Sequence, residues 1–68
     1  MKITYDKKAD AMYIKLNETK PYYVTKKVTE DVLVDYSKEG KVVGVEVLDA
    51  SKNVAFSEKE DKVTVENL

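Results

Sequence analysis

At 68 residues the chain has room for one domain, and 43% hydrophobic with 37% charged residues is the composition of a folded protein with a thin core. Its 12 basic residues, all lysine, against 13 acidic ones give a net charge of −1, which draws it to neither nucleic acid nor anionic lipid. Without Cys or His, disulfides, the usual zinc sites, cysteine nucleophiles and Ser-His-Asp triads are excluded.

Ile3 and Tyr5 alternate with Lys2 and Thr4, and Met12, Ile14 and Leu16 alternate with Ala11, Tyr13 and Lys15. A period of two marks half-buried strands. Pairing Asp6 with Ala11 across residues 7–10 sets Tyr5 opposite Met12, Ile3 opposite Ile14, and Lys2 opposite Lys15. Residues 17–21, with the only proline, form a turn, and residues 22–28, rich in aromatic and β-branched side chains, form a third strand. After a polar break at residues 29–31, strands at 32–36 and 41–48 flank a four-residue loop closed by Gly40. The side-chain pattern pairs Tyr36 with Lys41, Val34 with Val43 and Val32 with Val45, leaving Gly44 opposite Leu33 as a bulge or a close approach by another backbone. Asp49 can cap a short helical turn, Ser57 and Glu60 have the spacing of a capping box, and residues 62–66 alternate as a short final strand.

The predicted fold is mostly β: a single domain over residues 1–68, an antiparallel meander of about five strands, six if the C-terminal segment pairs, with at most one short helical turn near residues 49–55. Both faces carry apolar side chains and no helix long enough to cover either is in prospect, so a homo-oligomer, a twofold dimer, is expected.

Two glycines, Gly40 and Gly44, cannot build a phosphate loop. What remains is carboxylate chemistry, with Asp6, Asp10, Asp35, Glu46 and Asp49 as raw material for a divalent cation or for acid/base work. Asp6 and Asp10 flank one tight loop, and Asp35 and Glu46 project from the second face of the central hairpin. Turn and surface duty is the stronger reading for each, so no catalytic residue, metal ligand or cofactor is assigned. The five tyrosines read as packing residues, because stacking platforms for nucleic acid need a basic groove. Lys26 and Lys27 with Lys7 and Lys8 read as a solvated edge.

Ile3-Thr4-Tyr5-Asp6, Ala9-Asp10-Ala11-Met12-Tyr13-Ile14, Val32-Leu33-Val34-Asp35 and the run from Gly40 through Gly44 and Glu46 to Leu48-Asp49-Ala50-Ser51 together resemble the small prokaryotic proteins grouped as domain of unknown function 2283. The likeness covers residues 2 to about 52 and departs at Glu30-Asp31, where members often carry an Asp-Gly turn. It implies a stand-alone β protein of unknown role. Some members are encoded beside small toxin-like proteins, which makes an antitoxin-like or partner-binding role an implication of the resemblance.

Two functions follow as expectations. The first is a non-enzymatic module that self-associates and binds a small protein partner; the alternative is a small metal-dependent hydrolase using the five carboxylates at a subunit interface. No apolar run reaches bilayer length and no signal-peptide stretch opens the chain, so neither membrane nor nucleic acid is an expected partner and the cytoplasm is the expected compartment.

Overall fold

The computed structural model describes residues 1–55 and 65–67. Among these residues six strands form one open sheet in the order β3-β4-β5-β2-β1-β6: β1 (Lys2–Asp6), β2 (Ala11–Lys15), β3 (Val24–Lys27), β4 (Val32–Tyr36), β5 (Val42–Leu48) and β6 (Val65–Asn67). The first five pair antiparallel, β6 runs parallel to β1, and one short helix, α1 (Ala50–Asn53), follows β5. The mostly β architecture is as expected. Its order departs from a simple meander at two connections: β6 lies beside β1, and β2 lies beside β5 because the chain crosses to the far edge before β3 begins. Such a return is the Greek-key arrangement of four antiparallel strands. The proposed capping box at Ser57 and Glu60 and the start of the final strand at residues 62–64 lie outside the described residues.

The β1–β2 hairpin has the expected register throughout, from Lys2 opposite Lys15 to Asp6 opposite Ala11. The β4–β5 hairpin does not. Tyr36 pairs with Val42, Val34 with Val45 and Val32 with Val47, and Gly44 stands opposite Asp35, not Leu33. Two local features each move the register by one residue. The loop has three residues: the Ser37 amide donates to the Lys41 carbonyl at 2.8 Å, and Gly40 takes φ 85°, the left-handed position of a three-residue hairpin loop. Val43 is then an extra residue in β5, a bulge. Beyond the bulge the shift is two, which preserves side-chain faces, so Val32, Val34, Val45 and Val47 still share the apolar face with Ile3, Met12 and Ile14.

That face carries the core. Met12, Val47 and Ala50 are buried together, with Ile3, Tyr5, Ile14, Val45 and Val54 packed against them. Ala50, fully buried, is the residue through which α1 joins the sheet. The connections are held by side-chain acceptors. Asn17 Oδ1 accepts from the Thr19 and Lys20 amides at 3.0 and 3.1 Å, and Thr29 Oγ1 accepts from the Asp31 and Val32 amides at 3.2 and 3.1 Å. The Thr29 hydroxyl does the work at the β3–β4 turn, where neither Glu30 nor Asp31 has positive φ; no glycine is needed there.

Candidate functional site

Asp6 ends β1, and its Oδ1 accepts from the amides of Lys8 at 3.0 Å and Ala9 at 3.3 Å. This is an Asx-type turn, and it tightens the β1–β2 loop. Asp10, at φ 51°, closes the same loop and turns toward α1. Its carbonyl accepts from the Ala50 amide at 2.9 Å. Its carboxylate accepts from the Ser51 amide at 3.0 Å, the Ser51 hydroxyl at 2.6 Å and the Tyr5 hydroxyl at 2.7 Å. The Ser51 hydroxyl and then the Tyr5 hydroxyl hold the Asp10 carboxyl below the usual carboxylate range, because donated hydrogen bonds favour its charged form.

The expected cap residue is therefore corrected. Asp49 occupies the position before α1 at φ 48°, yet its side chain makes no capping hydrogen bond. Asp10, distant in sequence, satisfies the first amides of α1 instead. Asp49 contributes its carbonyl, which accepts from the Lys52 and Asn53 amides at 2.9 and 3.1 Å. Asn53 ties the other end of α1 down, donating Nδ2 to the Leu48 carbonyl at 2.9 Å and to Asp31 Oδ2 at 3.1 Å.

Asp35 lies on the opposite face of the sheet, where its carboxylate accepts from the Tyr13 hydroxyl at 2.6 Å and the Thr25 hydroxyl at 2.5 Å. Tyr13 reaches it by lying across Gly44: a Cβ built there would stand 2.7 Å from the Tyr13 Cζ. The close approach foreseen at Gly44 is thus by a ring, not by another backbone. Partial burial first, and then the bond to Asp35, push the Tyr13 hydroxyl up to about 12. Glu46 pairs across β2 and β4 with Tyr13 and Leu33, so it shares the face of Asp35.

The five carboxylates fall into two sets. Asp6, Asp10 and Asp49 surround the β1–β2 loop and the start of α1, whereas Asp35 and Glu46 occupy the polar face. Asp10 precedes Ala11, which pairs with Leu48, while Asp35 pairs with Gly44. Four residues along β5 is roughly 13 Å, too far for one ion to bridge. Among the described residues no group of three or more His, Cys, Asp or Glu is placed to hold a metal ion. The lysines also separate, since β4 and β5 lie between Lys26-Lys27 on β3 and the hairpin carrying Lys7-Lys8.

Sequence reasoning missed Tyr5, Tyr13, Thr25 and Ser51 as the donors that these carboxylates serve. A signal was present for most of them: Tyr5, Asp10, Tyr13, Gly44 and Ser51 all lie in the segments that carry the family likeness. Folding brings the start and the end of that pattern into contact at Asp10 and Ser51 and again at Tyr13 and Gly44.

Fold and site together define a small open-sheet β protein in which the side chains of Asp6, Asp10 and Asp35 serve as fastenings. The chain belongs to the family described as protein of unknown function (DUF2283), whose model matches residues 2–51. No curated protein and no solved structure matches it. Among the described residues no helix is long and apolar enough to cross a membrane.

Proposed function

We propose that this chain is a non-enzymatic protein-interaction module of the cytoplasm that self-associates as a twofold dimer through the apolar face of its sheet and serves a small protein partner, of the kind an antitoxin holds. The observation that carries the reading is the incomplete cover of that face. Ile3, Ile14, Val32, Val34 and Val45 are only half-buried, and α1, four residues long, reaches the sheet through Ala50. Face-to-face packing of two sheets is the ordinary way to bury such side chains, and a twofold axis is the commonest way to arrange two copies.

The carboxylates support the same reading. Asp6, Asp10 and Asp35 each accept two or more hydrogen bonds from this chain's own groups, and acids so engaged are poor candidates for the hydrolase alternative. Sedimentation equilibrium at micromolar concentration tests the dimer. The expected result is a mass approaching twice 7.7 kDa that falls on dilution; a concentration-independent mass of 7.7 kDa is the contrary one.

A further inference from the structure

We infer that the outer edge of β3 takes up an extended acidic segment of another protein, added to the sheet as a further strand. This rests on the interaction-module reading and names the chemistry of the partner.

Among the described residues β3 pairs only with β4. The Val28 amide donates to the Val32 carbonyl at 2.8 Å, which sets the phase of the ladder. By alternation, Val24 and Lys26 turn their backbone groups toward β4, and Thr25 and Lys27 turn theirs outward. All four residues of β3 are exposed, and Tyr22 and Tyr23 just before it are 63% and 68% exposed. Beside the edge, Tyr23, Tyr36 and Lys38 border a depression of about 390 Å³ that can seat a side chain of an added strand.

Charge selects the occupant. Lys26 and Lys27 are successive residues of β3 and project to its two faces, so a strand laid on this edge meets a lysine whichever way it is turned. A second copy of β3 is disfavoured: a twofold axis at Lys26 or at Lys27 sets that lysine opposite itself, and an axis at Thr25 still gathers four lysines in one short ladder. Like charges across a ladder destabilise it, whereas glutamates opposite these lysines contribute favourably. The same two residues therefore keep copies apart and admit an acidic chain. Lys27 now stands 3.5 Å from Glu30, in a pair whose side chains are 57% and 92% exposed; such a pair is readily exchanged for a better-placed partner.

The test uses the whole protein and two labelled hexapeptides, one alternating valine with glutamate and one alternating valine with lysine. Amide resonances of Thr25 and Lys27 should shift with the acidic peptide, which should bind roughly tenfold tighter than the basic one from a few favourable cross-strand pairs. The double variant Lys26→Glu, Lys27→Glu should reverse the preference. Lys27→Pro, which removes an outward amide and no bond to β4, should abolish binding while the remaining resonances hold. Equal affinity for both peptides, or silent Thr25 and Lys27 amides at millimolar acidic peptide, overturns the inference, as does protection of those amides by a second copy without peptide. Sedimentation of the same samples separates the two proposals. An intact dimer with a silent edge defeats the edge alone, and a monomer that binds the acidic peptide defeats the dimer alone.

Discussion

Gly44 is required by what lies over it. Any side chain there meets the Tyr13 ring, which must pass across the position for its hydroxyl to reach Asp35. Gly44→Ala should cost about 1–3 kcal/mol in urea denaturation, the usual range for overpacking, and much less in a Tyr13→Ala background; an unchanged cost there would mean that the backbone, not the ring, is the obstacle. Asp10 makes a different prediction. Its lowered pKa means that its hydrogen bonds stabilise the fold fully above the ordinary aspartate value of 3.8 and lose that effect as pH falls through the lower folded value. Asp10→Asn should therefore melt lower than the parent at pH 7, with the gap closing below pH 3.8. A gap independent of pH would assign the loss to packing instead of to the ionised carboxylate.

The elements were legible in the sequence where their determinants are local. Alternation in β1 and β2 on either side of a short loop gave the hairpin register directly, because a one-residue slip would take Met12 and Ile14 off the face of Ile3 and Tyr5 and no bulge breaks this ladder. In β4–β5 the faces were legible and the pairing was not. A three-residue loop and a bulge at Val43 together conserve the face that the hydrophobic pattern specifies, so the pattern is blind to them. The side-by-side placement of β2 and β5, and the capping of α1 by Asp10, depend on residues far apart in the chain, and no periodicity reports such contacts. The candidate acids were legible by residue type, but their use was not, because the hydroxyls of Tyr5, Tyr13, Thr25 and Ser51 reach them only in the folded sheet. Gly40, at φ 85°, is a loop position where glycine is called for by conformation, and Gly40→Ala should cost about 1–2 kcal/mol in the same denaturation assay. Hydrogen exchange should grade the sheet from its edge inward: the outward amides of Thr25 and Lys27 on β3 should exchange well before those of β5, which is paired on both sides.

At the scale of the molecule, a thin core and a half-covered apolar face belong together. Only Met12, Val43, Val47 and Ala50 are buried hydrophobics among the described residues, and on the proposed reading a second copy would supply the burial that a domain this small lacks alone. Val34 offers a way to separate folding from association. It is half-buried on the apolar face, directly opposite Lys26 on β3. Val34→Glu therefore acquires an opposite-charge neighbour within its own sheet while placing a charge where a second sheet would have to pack. The most direct measurement of the account is sedimentation of the parent and Val34→Glu side by side at micromolar concentration, with circular dichroism confirming that both are folded. The expected result is a dimer for the parent and a folded monomer of about 7.7 kDa for the variant. A parent that sediments as a monomer at every concentration, or a variant that remains as dimeric as the parent, would contradict it.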